Sequence, residues 1–284
     1  MFKLLRVHQY IKNILVFAPL LFSFNYSSSA YAETFVVFIL FSAISSCVYI
    51  INDLFDIKED KKHPKKKNRP LASGKVKPHH AMTLMLSLAF FSLSFAYLFS
   101  KTVLIVLLIY LLINIAYSYR LKHIPILDIM IIAFGFVLRL YAGSIAVDIS
   151  LSMWIITITF LLAIFLALAK RRDDVVLNNR GASVRKNIDG YNIVFVDNAM
   201  ITMASVVILS YLLYTVSDSV INKFGTENLY LTTFFVVMGI LRYMQITFVN
   251  ESSGNPTLVF LKDKFLQLVI AGWILSLITI IKIL

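Results

Sequence analysis

Apolar residues occur in long blocks separated by short polar stretches, and block length is informative. A bilayer core of about 30 Å takes about 20 helical residues, with a range of about 17–25. On that measure nine runs predict membrane-spanning helices, near 11–25, 33–52, 80–99, 102–118, 127–147, 152–170, 197–217, 229–249 and 264–283. The first is short, is interrupted by Pro19, and starts at the interface or tilted. The expected fold class is therefore all-α: a polytopic membrane protein with nine transmembrane helices, in one domain over residues 1–284.

Composition strengthens this reading. The chain is 59% hydrophobic, with a mean hydropathy of +0.82, whereas soluble domains run at about 45–50% apolar. Only 15% of residues are charged, yet the net charge is +12. Basic loops on the cytoplasmic face account for such a bias; a nucleic-acid partner does not, because no soluble domain is left to present the patch. Placing the N-terminus inside puts 22 lysines and arginines on that side and three, Lys101, Lys223 and Lys282, on the other. Two inside loops, 53–79 and 170–196, are longer than a helix connection needs and mix acids with bases, so chemistry is expected there. They follow spans two and six, a spacing that suggests a loose repeat. The single cysteine, Cys47, lies in an apolar run, which excludes an intrachain disulfide and a cysteine metal site.

The second span ends in Asn52-Asp53-Leu54-Phe55-Asp56-Ile57-Lys58-Glu59-Asp60. At about 100° per residue, Asp56 lies at about −60° and Asp60 at about −20° from Asp53. The three carboxylates share one face, which Glu59, Leu54 and Phe55 leave. Such acids repel unless a cation neutralises them, and hard oxygens suit Mg²⁺, which takes one or two carboxylates plus substrate phosphates. The plainer alternative is a solvated helix end paired to Lys58, Lys61 and Lys62.

After the helix-breaking His63-Pro64 come Lys65, Lys66, Lys67, Asn68, Arg69, Pro70, Leu71, Ala72, Ser73 and Gly74. Cations beside a metal-binding acid face are what a polyphosphate needs. Lys65 to Lys67 equally serve topology or lipid headgroups, whereas Arg69, between Asn68 and Pro70, suits a fixed contact. Span six ends in Lys170-Arg171-Arg172-Asp173-Asp174, where an i,i+4 pair of Lys170 with Asp174 is an alternative to a second metal site. Asp128 and Arg139 lie on one side of span five, about 16 Å apart, and Arg139 holds either a substrate phosphate or a structural carbonyl; Arg242 has the same ambiguity. His123 reads as interfacial. No Gly-rich phosphate loop or nucleophile triad is evident, which leaves chemistry built on a metal and a departing diphosphate.

Asn52-Asp53-x-x-Asp56-x-x-x-Asp60 followed by Arg69-Pro70-Leu71-Ala72-Ser73-Gly74 resembles the first signature of the UbiA superfamily of intramembrane prenyltransferases. The finer pattern is similar to its decaprenyl-phosphate phosphoribosyltransferase branch: Lys12-Asn13 before Leu15-Val16-Phe17-Ala18-Pro19-Leu20, Tyr117-Ser118 with Leu121-Lys122, Asp128, Gly135-Phe136-Val137-Leu138-Arg139 with Ala142-Gly143, and Lys170-Arg171 with Asp174, Arg185 and Tyr191. Asp173-Asp174 departs from the spaced second aspartate motif of the aromatic prenyltransferases.

The resemblance implies a UbiA-like bundle in the bacterial inner membrane with its active site facing the cytoplasm. It implies Mg²⁺-dependent transfer of 5-phosphoribose from phosphoribosyl pyrophosphate to a polyprenyl phosphate, a step of cell-envelope biosynthesis. Asp53, Asp56 and Asp60 are then expected to hold the metal with Asn52 in support, and Asp174 to act as a further acid. Lys12, Arg69, Lys122, Lys170, Arg171 and Arg185 are expected to grip phosphates, joined by Arg139, while Tyr117 and Tyr191 donate hydrogen bonds. The competing readings are a prenyltransferase acting on an aromatic or lipid acceptor, and a non-catalytic lipid transporter or scaffold. The oligomeric state stays open.

Overall fold

The computed structural model describes residues 2–23, 27–62, 66–180 and 190–283. Among these there is no strand, and eight helices are long and apolar enough to cross a membrane. They are α1 (Ser28–Phe55), α2 (Pro78–Phe99), α3 (Lys101–Tyr119), α4 (Leu127–Ala146), α5 (Met153–Asn179), α6 (Ile193–Thr215), α7 (Thr233–Phe248, led in by a 3-10 turn from Asn228) and α8 (Lys264–Ile283). Helix starts follow side-chain chemistry. The Ser27 hydroxyl accepts from the Ala30 amide, Asn192 Oδ1 accepts from the Phe195 amide, and Pro78 opens α2. Ser100 alone separates α2 from α3: its amide donates to the Ala96 carbonyl while its hydroxyl accepts from Val103.

Two expectations change. The run at 11–25 is not one spanning helix. It is a 3-10 helix over Val7–Phe17 followed by a short α-helix, Ala18–Ser23, with Pro19 in the first turn, where a proline is tolerated. The stretch 170–196 is not all loop either, because α5 continues to Asn179. At 1.5 Å per residue its 27 residues reach about 40 Å, beyond the hydrocarbon.

The chain forms two compact units. The first holds everything to Ser152. Its core joins Val37, Phe41, Ile44 and Val48 of α1 to Val103, Leu107 and Tyr110 of α3 and Leu138 and Ala142 of α4. α2 instead exposes Leu86, Phe90, Phe91, Phe95 and Leu98, a face for lipid. Helices in a membrane gain little from hydrophobic contact with one another, so close packing and hydrogen bonds must hold them. The 3-10 helix shows how. With about three residues per turn, Tyr10, Asn13 and Val16 fall in one column. Tyr10 bonds the Ser46 hydroxyl at 2.8 Å, and Asn13 donates to Ser42 at 3.0 Å. Val16 lies against Gly143 of α4, where any Cβ would stand 1.9 Å from the Val16 carbonyl oxygen. Only glycine permits that approach.

The second unit holds Met153–Arg180 and the chain from Tyr191 onward. α5 packs on α6 and α7, and α7 also meets α8. Trp273 of α8 donates to the Tyr211 hydroxyl of α6 at 2.7 Å, which bonds Thr232 at 2.7 Å.

Candidate active site

α1 stops at Phe55. Asp56 leaves helical geometry (φ −91°, ψ 4°), and a short helix, Ile57–Lys62, resumes. The hydrogen-bond register survives the break: the Asp56 amide donates to Asn52 O at 3.0 Å and the Asp60 amide to Asp56 O at 2.8 Å. Asp53 and Asp60 therefore stay on one side, and a single nitrogen of Arg69 bridges them, at 3.0 Å to Asp53 and 2.6 Å to Asp60. Arg6 adds a second guanidinium to the same Asp53 oxygen at 2.5 Å. Asp56 is met by the Lys122 ammonium and, at 3.0 Å, by the Asn52 amide. All three aspartates and Lys122 are buried.

The partners are not the expected neighbours. Lys58, Lys61 and Lys62 are exposed and make no ion pair with these acids among the described residues, which corrects the solvated-end alternative. Cations from three distant segments converge instead, three positive charges on three negative. Compensation of this kind is what a buried carboxylate requires, since an uncompensated one is costly. Arg6 reaches Asp53 from a left-handed backbone (φ 50°, ψ 47°) with its guanidinium over the Tyr49 ring. Burial holds it below the ordinary arginine value, and Asp53 opposes that shift. Lys122 rides on the 3-10 turn Leu121–His123; the chain then enters α4 through Ile126 at φ 69°, a conformation that β-branched residues avoid.

Arg139 is fully engaged elsewhere in the first unit. It donates to Asn13 Oδ1 at 2.8 Å, Gly135 O at 2.6 Å and the Tyr110 hydroxyl at 3.1 Å, and lies among the rings of Phe41, Tyr110 and Phe136. Of its two expected uses, the structural carbonyl is the one seen. Lys12, half-buried, makes no hydrogen bond or ion pair among the described residues, and the charged groups acting on it are Arg139 and Arg6, both cations. Tyr117 is half-buried.

In the second unit, Asp174 accepts from Arg171 at 3.1 Å, one turn back. Arg172 bonds Asp197 at 2.8 Å and the Thr247 carbonyl at 3.0 Å. Asp173 packs on Gly254, where an added Cβ would come within 2.1 Å of its carboxylate. Tyr191 is buried and Lys170 half-buried. Arg242 pairs with Asp263, at 2.7 Å for the shorter bond. Arg185 lies outside the described residues. Sequence reasoning missed Arg6 as a partner of Asp53, 47 residues away, and no local spacing signals it. It also missed the Arg172–Asp197 pair.

The donor set tests the metal. Three carboxylates and an amide are hard oxygen ligands of the kind Mg²⁺ takes. No group of three acid, histidine or cysteine side chains is arranged as a cage among the described residues. Mg²⁺ does not require one, since phosphates and water commonly complete its shell. The chemistry of the residues fits the ion, provided that the cations now on the carboxylates yield.

A multi-pass helical protein with buried acids and converging cations at a helix end has the makings of an intramembrane transferase. The chain belongs to the UbiA prenyltransferase family, which it matches over residues 14–269. It is 32% identical to the decaprenyl-phosphate phosphoribosyltransferase of Mycolicibacterium smegmatis, over 96% of this chain and 89% of that one. The enzyme of the same name from Mycobacterium tuberculosis is 30% identical, over 96% and 91%. Among solved structures, a UbiA homolog from Archaeoglobus fulgidus bound to GPP and Mg²⁺ superposes with a TM-score of 0.71 over 99% of both chains, at 18% identity. Membership of a family of transferases removes the transporter or scaffold reading.

Proposed function

We propose that this protein transfers 5-phosphoribose from phosphoribosyl pyrophosphate to a polyprenyl phosphate and releases diphosphate, with Mg²⁺ as cofactor. The observation that carries the reading is the acid cluster at the end of α1 with cations gathered on it. The names of relatives at 30–32% identity support the choice of donor and acceptor. Lys12 adds to it: a half-buried ammonium whose charged neighbours are cations suits an anionic substrate group.

Asp53, Asp56 and Asp60 would hold the metal, with Asn52 orienting Asp56 through its present hydrogen bond. When bound, Mg²⁺ would neutralise charge growing on the departing diphosphate. Arg69 and Lys122, already beside the carboxylates, would take diphosphate oxygens, and Lys12 a further phosphate. Tyr117 would donate a hydrogen bond. The roles expected of Lys170, Arg171, Asp174, Arg185 and Tyr191 rest on the family resemblance. A ribosyl C1 losing diphosphate develops positive charge, so buried carboxylates close by favour the transition state. The basic bias of the loops supports a site on the cytoplasmic side of a bacterial inner membrane.

A second reading, transfer of a prenyl group from a prenyl diphosphate, has the GPP-bound structural neighbour in its favour. A donor screen on purified protein with Mg²⁺ separates them. Diphosphate release from phosphoribosyl pyrophosphate that depends on added polyprenyl phosphate is expected. Turnover of geranyl diphosphate, with the sugar phosphate inert, would establish the second reading instead.

A further inference from the structure

The ion pairs around Asp53 are unequal. One oxygen of Asp53 accepts from two guanidiniums, Arg6 at 2.5 Å and Arg69 at 3.0 Å. Arg69 is anchored a second time, to Asp60 at 2.6 Å. Among the described residues Arg6 pairs with no carboxylate but Asp53, and the left-handed backbone there gives it a conformation to relax from. It is therefore the surplus cation of the pair. It also begins the 3-10 helix that carries Lys12, on which Arg6 and Arg139 act and no carboxylate does. Two cations two helical turns apart, one holding an acid and one with no ion pair among the described residues, form a partly loaded anion grip.

We propose that Arg6 is a placeholder counter-ion: without donor it occupies the Asp53 oxygen that a divalent cation would take, and it moves to a phosphate when metal and diphosphate arrive together. Arg6 is thus a positioning residue that makes metal binding conditional on the donor. The inference rests on the metal-site reading given above. In it no covalent bond changes; one ion pair, guanidinium to carboxylate, is exchanged for two, metal to carboxylate and guanidinium to phosphate. Such an exchange keeps the buried site close to neutral at each stage, which a low-dielectric setting demands.

The test is protein-bound Mn²⁺, read by electron paramagnetic resonance on the full chain in nanodiscs, with and without inorganic diphosphate. The wild-type protein is expected to hold Mn²⁺ weakly alone and at least tenfold more tightly with diphosphate. Arg6→Gln removes a cation within ion-pairing distance of the ligand oxygen, so it is expected to bind Mn²⁺ alone about tenfold more tightly than wild type and to lose most of the diphosphate enhancement. Arg6→Lys, which keeps the charge, is expected to behave as wild type. A residue with a merely structural role would not raise metal affinity when removed. Arg6→Gln with unchanged or weaker Mn²⁺ binding overturns the proposal. Should that variant fold poorly, wild-type protein that binds Mn²⁺ equally well with and without diphosphate overturns it too. Asp53→Asn separates the two levels: if it keeps wild-type Mn²⁺ binding, the metal site itself is wrong, whereas its loss together with an inert Arg6→Gln removes the placeholder alone.

Discussion

Each unit contains a helix of 27 or 28 residues whose far end carries acids and bases, yet the two ends are wired differently. At the end of α1, Asp53, Asp56 and Asp60 are buried and answered by Arg6, Arg69 and Lys122. These partners lie between 9 and 66 residues away. At the end of α5, Asp174 is answered by Arg171 one turn back, and Arg172 ties the helix to Asp197 and the Thr247 carbonyl. A pair within one turn forms whenever the helix forms and reports little beyond it. Cations drawn from three segments onto three acids exist only in the folded unit. On the proposed reading the first end exchanges ions, whereas the second is fastened within its own unit.

The sharpest way to break that contrast is to neutralise one acid at each end. Asp53→Asn is expected to lower turnover per folded molecule about a thousandfold, the scale of losing a principal electrostatic group, and to lower the thermal midpoint as well, because Arg6 loses its carboxylate; diphosphate release and scanning fluorimetry read the two. Arg172→Met should act on stability alone. Losing a charged hydrogen bond and leaving Asp197 unpaired is expected to remove about 2 kcal/mol of stability, seen as an earlier melt with turnover per folded molecule preserved. Asp174→Asn is expected to cost about a hundredfold in turnover, the lower end of what a positioned acid or base contributes. A loss equal to that of Asp53→Asn would erase the distinction between the ends.

The smallest effect concerns fastening by Arg242. Its hydrogen bond holds the Asp263 carboxyl below the usual carboxylate range, helped by the Leu266 amide that Asp263 caps at the start of α8. A lowered folded-state pKa contributes stability above the unfolded value, and that contribution is lost as pH falls through the folded one. A small drop in melting temperature below about pH 4 is expected, and Arg242→Gln should flatten it. An unchanged acid limb in that variant would show that other carboxylates set it.

The hydrophobic pattern made the long helices legible, because a membrane span must satisfy its backbone internally and be apolar for its whole length. It misled at 11–25, where apolar content was right but geometry was not: Asn13 and Tyr10 bond serines of α1, and Val16 sits on Gly143. Those are tertiary contacts, which no window of local hydropathy contains. At the site, the 100° rule placed Asp53 and Asp60 together, as their shared Arg69 reflects. It was silent about who would meet them. Local lysines were the nearest in sequence, but an exposed lysine gains little by pairing, whereas a buried acid must recruit a cation from wherever the fold supplies it. Arg139 shows the limit from the other side. Its presence in a span marked it as constrained, but only the positions of Asn13, Gly135 and Tyr110 say by what.

The 3-10 helix at Val7–Phe17 imposes a reading frame on the N-terminus. Its outward column, with Ile11 and Ile14 exposed, tolerates changes of spelling. Insertion or deletion of one residue turns everything before it by about 120°, so Tyr10, Asn13 and Val16 would fall out of step with Ser46, Ser42 and Gly143 at once. In this segment length is more tightly specified than identity, and natural variants should differ there in letters and never in count.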